Sequence, residues 1–271
     1  MERPDMNKTA IVTLAALTAM STLAIAGDFV IEDSNSTATF GADGQNSWVI
    51  DGVDHLYEQE FYFRRSGFND EVNVNSLFLL GQAVSDTNPF TDDRDDVFSS
   101  LYSDGNGLEF ETTFTLRGAN QGSSSASLTE LISITNTNTT NEAITFSFFQ
   151  YVDFDLGGDF SDDSGEIVDG NTAHQSDDDF AISEVVVTPA PFAFQMGDSP
   201  DISALWDNGS IDTLNGDDSY QGDVAWAFQW DITLQAGDSF LISKNKTVVP
   251  TPGSFALIGL AGLITARRRR A

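Results

Sequence analysis

The chain of 271 residues sets 12 Lys and Arg against 42 Asp and Glu, a formal charge of −30, and contains no cysteine. Such a charge repels nucleic acid and anionic lipid from the folded body. The missing thiols exclude disulfide and thiol chemistry, while divalent cations and neutral polysaccharide remain compatible partners.

In chain order, the first predicted element is an export signal. Lys8 opens a short positive region, and Thr9–Ile25 is nearly uncharged and apolar. Ala24 and Ala26 then present small side chains where a signal peptidase reads, with Gly27 as the expected mature start. The expected division is residues 1–26 as signal peptide, 27–247 as an acidic β domain and 248–271 as a tail. The outer segments hold six of the basic residues but only Glu2 and Asp5 of the acids. The body is left with six basic and 40 acidic residues, a net charge of −34.

Within the body, alternation at period 2 dominates and helical periodicity is nearly absent. Leu108, Phe110, Thr112, Phe114 and Leu116 share one face. A second comprises Val224, Trp226, Phe228, Trp230, Ile232 and Leu234. A third runs from Ile144 to Leu156, interrupted by Gln150. Each pattern describes a strand packed on one side. Further strands are expected at Trp48–Val53, Leu56–Arg64, Val72–Leu80, Val97–Ser103, Ser127–Asn136, Phe180–Val187, Phe192–Met196 and Phe240–Thr247. Turn-rich clusters separate most of them. Hairpins are expected at Gln235–Asp238 and Asn136–Asn141, and a short helix near Ile202–Trp206. Ten or more such strands predict an all-β fold: a two-layer antiparallel β-sandwich of jelly-roll or lectin-like type.

The chain closes with Val248-Val249-Pro250-Thr251-Pro252-Gly253, an apolar run to Ala266, and Arg267, Arg268, Arg269 and Arg270. From Val248 to Ala266 a helix would reach about 28 Å, roughly one hydrocarbon core. The prolines shorten it, and the arginines hold their end in the cytoplasm. This tail resembles the PEP-CTERM sorting domain of exopolysaccharide-producing bacteria, the substrate of the membrane protease-transpeptidase exosortase. Pro250, Pro252, the apolar run and the arginines match the family pattern; Thr251 stands where the family usually has Glu. The resemblance implies transient anchoring in the inner membrane, processing by an exosortase-type enzyme, and release or display at the cell surface. It covers only the tail and leaves the body's activity open.

Catalytic signatures are sparse. The two histidines, His55 and His174, read as surface or edge residues, and no nucleophile elbow or His-based zinc motif is present. Asp153 and Asp155 fall on one strand face, expected to be solvent-side, and the following loop could fold Asp159, Asp162 or Asp163 towards them as a Ca²⁺ site. Two further acidic groups are Asp92, Asp93, Asp95, Asp96 and Asp177–Asp179. Phe149, Tyr151, Tyr57, Phe61, Tyr62 and Phe63 could stack on sugars or be covered by another element, and burial is the expectation. The expected function is that of an exported, non-catalytic envelope or matrix protein requiring no cofactor. The alternative is a lectin-like carbohydrate-binding module, Ca²⁺-assisted, and after it a glycan-acting hydrolase.

Overall fold

The computed structural model describes residues 28–88, 93–206, 208–210 and 212–251. Ala24, Ala26, Gly27, Asp92, Pro252 and Arg267 to Arg270 therefore lie outside the described residues. Among the described residues no helix is long and apolar enough to cross a membrane.

The strands, in chain order, are β1 (Phe29–Asp33), β2 (Ser36–Phe40), β3 (Gln45–Ile50), β4 (Val53–Asp54), β5 (Leu56–Arg65) and β6 (Val72–Asn73). There follow β7 (Phe78–Ser85), β8 (Val97–Ser103), β9 (Leu108–Gly118), β10 (Ala126–Asn136), β11 (Ile144–Phe154) and β12 (Asp163–Val168). The last are β13 (Thr172–Ser176), β14 (Phe180–Thr188), β15 (Ala193–Asp198), β16 (Ser219–Gly222), β17 (Val224–Leu234) and β18 (Ser239–Pro250), with the helix α1 (Ser199–Ser203) before β16. They form two antiparallel sheets packed as a sandwich. One has the order β1-β2-β3-β5-β11-β17-β15, with β4 on β3 and β6 on β5. The other runs β16-β12-β13-β14-β18-β10-β9-β8-β7.

The core lies where the apolar faces of the two sheets meet. Phe40 stacks on Phe98 at 4.4 Å, and Phe154 lies parallel to Trp226 at 5.6 Å. Rings at these separations add specific pairing to their large buried area. The core also contains ions. Glu130, Glu184, Lys244 and Lys246 are wholly buried. Lys244 Nζ lies 2.5 Å from Glu130 and 3.2 Å from Glu184, and Lys246 Nζ lies 2.9 Å from Glu130. Gln150, the polar break in the alternation of β11, donates to Glu184 at 2.8 Å, as does Trp226 at 3.0 Å. Burial alone would raise the Glu130 carboxyl; the ammonium groups of Lys244 and Lys246 hold it well below the usual range.

Sheet one is covered on its other side as well. Phe149, Tyr151, Ala225 and Ala227 pack under Ile202, Trp206 and Leu214, so the centres of β11 and β17 are buried on both faces. Strands covered twice read as nearly continuous apolar runs. The covering segment begins at α1, which starts three residues before the expected helix and gives way to turns through Trp206.

Three expectations are corrected. The strand expected over Val72–Leu80 is divided by a 3-10 turn at Val74–Ser76, where Asn73 caps Asn75 N–H at 2.8 Å. Asn136–Asn141 is no hairpin: β10 and β11 lie in different sheets, their apolar faces meeting across the core, so this connection crosses between layers. The last strand continues through Val248, Val249 and Pro250, which pair with Ile182, Ala181 and Phe180.

Candidate functional site

At one end of the covered face of the first sheet, an open cleft of about 380 Å³ remains where α1 leaves the strands exposed. Its floor is β5 and β11, where Glu58 pairs directly with Asp153. Asp155 follows β11, Asp223 precedes β17, and Tyr57, Phe160 and Ser199 complete the lining. Carboxylate oxygens of Asp153, Asp155 and Asp223 lie within 4.8 Å of one another. Three strand ends converge there because β11 sits between β5 and β17.

Of the three carboxylates Asp153 is the most removed from water, 2 % exposed. Its Oδ2 accepts from Ser199 Oγ at 2.6 Å and from Tyr151 Oη at 3.4 Å, while Oδ1 has no partner in the protein. Burial, with the charges of Asp155, Asp223 and Glu58 acting against the Ser199 bond, pushes its pKa up to about 7. Burial also raises Asp155, helped by Asp223, and raises Asp223, helped by Asp198. Glu58 is raised by burial and by Asp43. Among the described residues, five cations are paired with other carboxylates: Arg64 with Glu71, Arg65 with Asp104, Arg117 with Asp96, and both lysines in the core. The cleft thus holds one carboxyl able to give up a proton near neutrality beside others able to accept one, the arrangement that acid–base chemistry needs.

The sequence identifies Asp153 and Asp155 correctly as neighbours on one face, but that face is covered and Asp153 is buried. The loop carboxylates are used differently from expectation. Asp159 caps Ser161, and Asp163 turns into the other sheet to accept from Gln175 at 2.5 Å. Asp223, 68 residues beyond Asp155, completes the group instead. The other acidic groups also serve the fold: Asp96 is buried, accepting from Thr87 and pairing with Arg117, and Asp177 caps the turn into β14. Of the aromatic candidates, Phe61, Phe63, Phe149 and Tyr151 are buried and Tyr62 stacks on Trp206. Tyr57 remains open, 61 % exposed, and Phe160 faces the same cleft at 56 %.

The two histidines part company. His55 is not a surface residue: it is fully buried, edge-on to Phe180, and its Nδ1 accepts from Gly157 N–H at 3.2 Å. Burial holds its pKa at about 4, so it is neutral and anchors the turn that follows Asp155. His174 is a surface residue as expected, exposed on β13 and paired across the sheet with Glu166. Glu166 and His174 border a larger concavity, about 710 Å³, on the second sheet. Glu166 and His174 in its lining are exposed, whereas the acidic cleft holds ionisable groups withdrawn from water; the cleft is the stronger site.

Pro250 and Thr251 of the sorting motif are described. Thr251 donates through its N–H to Asp179 O at 2.9 Å and through Oγ1 to Asp178 O at 2.7 Å. A glutamate there would set a further negative charge against Asp177–Asp179.

No protein-family model matches the chain, and no curated protein matches it. Among solved structures, the chain is similar to a bacterial glucoamylase complexed with acarbose, at 11 % identity and a TM-score of 0.55. That match covers 85 % of this chain and 32 % of the other, so the chain spans about a third of the glucoamylase. A putative aldose 1-epimerase from Escherichia coli K12 matches at 12 % identity, 82 % and 98 % coverage and a TM-score of 0.47. A galactose mutarotase-like protein from Lactobacillus casei ATCC 334 matches at 12 % identity, 82 % and 100 % coverage and a TM-score of 0.45. The fold is thus a large antiparallel β-sandwich, and part of the glucoamylase has a similar one. The expectation of a passive body without catalysis is accordingly corrected: the glucoamylase carries this same scaffold, which is no mark of an inert protein.

Proposed function

We propose that the protein binds and processes carbohydrate in the acidic cleft, at the cell exterior. The observation that carries this reading is the convergence of Asp153, Asp155 and Asp223 beside the exposed rings of Tyr57 and Phe160. The rings offer flat apolar faces to a pyranose, and the carboxylates accept its hydroxyl hydrogens. Asp153 supplies a proton to a glycosidic or ring oxygen, and an ionised neighbour acts opposite it. Carboxylates this close together leave little room for an intervening water, so cleavage of a glycoside would follow the retaining course.

The test is a polysaccharide pull-down and a chromogenic glycoside screen with the mature body, followed by Asp153→Asn. Binding that survives the substitution while turnover falls about 100-fold or more fits an acid role. Absence of both binding and turnover across neutral, amino and acidic glycans would sink the reading.

Export through the signal peptide, temporary inner-membrane anchoring and exosortase-type processing at the Pro250-Thr251-Pro252 tail complete the proposal. Mass spectrometry of the mature C-terminus in the native host tests them; retention of Arg267–Arg270 in the mature product would refute them. A Ca²⁺-assisted form of binding draws on the same three carboxylates.

A further inference from the structure

We infer that the cleft selects a sugar bearing a free, unacetylated amine, held as its ammonium ion between Asp153, Asp155 and Asp223. The inference rests on the carbohydrate reading above and goes further, to the class of sugar.

Three observations combine. First, an ammonium group presents three N–H donors on one small centre, and the cleft presents three carboxylates with oxygens within 4.8 Å of one another. Second, Asp153 is almost wholly buried, lines the cleft, and has an Oδ1 with no partner, although its Oδ2 is held by Ser199 and Tyr151. An acceptor buried without a donor carries a desolvation cost that a ligand donor would relieve. Third, among the described residues the ion pairs of Arg64, Arg65, Arg117 and the two lysines are made with other carboxylates than these three.

The walls favour an amine on a sugar ring over a bare metal ion. Ca²⁺ takes six to eight oxygens. Here the remaining lining includes the rings of Tyr57 and Phe160, which suit a pyranose face. Uronates and sulfated sugars would meet four carboxylates, Glu58 included, and are disfavoured by like charge. For an aminated sugar the cleft is foremost a binding site, because a bound ammonium favours the ionised form of Asp153; proton donation from Asp153 is then reserved for neutral sugars.

The experiment is calorimetric titration of the mature protein with glucosamine oligomers, the same oligomers fully N-acetylated, and CaCl₂ alone. The free-amine oligomers should bind about tenfold or more tightly than the acetylated ones. Asp155→Asn with Asp223→Asn should erase that difference while leaving the β-sheet circular dichroism spectrum in place. Should the double variant fail to fold, Tyr57→Ala separates the roles: it should weaken both oligomers alike and keep the preference. Equal binding of the two oligomers would overturn the amine inference and leave the carbohydrate reading standing. No binding of any sugar would remove both. Tight Ca²⁺ binding that excludes the amine oligomers would make this a metal site and overturn the inference.

Discussion

Asp153, Glu60 and Asp163 are each held at a pKa of about 7, chiefly by burial. In an unfolded chain these carboxyls ionise near 4. Between about pH 4 and pH 7 the folded protein therefore holds more protons than the unfolded one, and stability falls as pH rises. His55 acts in the opposite sense: its pKa is depressed to about 4 by burial, so it contributes stability above its unfolded value that is lost on acidification. Three carboxyls outweigh one imidazole. Scanning calorimetry should give a higher melting temperature at pH 5 than at pH 8, and Asp163→Asn should lessen the drop. A melting temperature that climbs across this interval would show that the three carboxyls ionise freely in the fold. Sequence can show that residues alternate, but not which face a later segment will cover. That is why Asp153 read as solvent-side and Asp223 carried no signal: its neighbours in the cleft are far away along the chain.

At the level of strands, legibility followed the chemistry of the inward face. Strands β8, β9, β10 and β17, with large apolar groups at most of their inward positions, were readable nearly to the residue. Strands β12, β13 and β16 were not, because their inward positions include Asp163, Gly165, Gln175 and Gly222 instead of large apolar groups. Gly165 is required as it stands: a Cβ there would lie 2.7 Å from both Met196 and Val224. The ionic group inside the sandwich escaped for a similar reason, since Lys244 and Lys246 look like ordinary outward positions of a strand. Their inward placement gives a sharp expectation. Lys244→Met leaves Glu130 and Glu184 buried with a cation removed and should cost about 3–5 kcal/mol by denaturant unfolding. Combining it with Glu130→Leu should cost much less than the separate effects added together. Simple additivity of the two would mean that these side chains do not act as one network.

For the whole molecule, the placement of charge is lopsided. Two of the body's six basic residues are spent in the core, and Arg64, Arg65 and Arg117 are tied to single carboxylates. The surface is consequently a field of carboxylates with few opposing charges, and mutual repulsion works against compactness. Raising NaCl from roughly 0.05 M to 0.5 M shortens the screening length several-fold and should raise the melting temperature. A flat or falling response would show that surface repulsion is not a material cost in this fold.

The final strand holds a further consequence. β18 is flanked by β14 and β10 in the middle of its sheet, yet it is the last part of the body to be synthesised. A ribosome must deliver every other strand of both sheets before the second sheet can be joined across its centre. If an N-terminal leader engages a translocation pore early, most of the chain can thread through while that gap is still open. The layout of the sheet then delays collapse until passage is almost complete, a timing device written into the order of the strands.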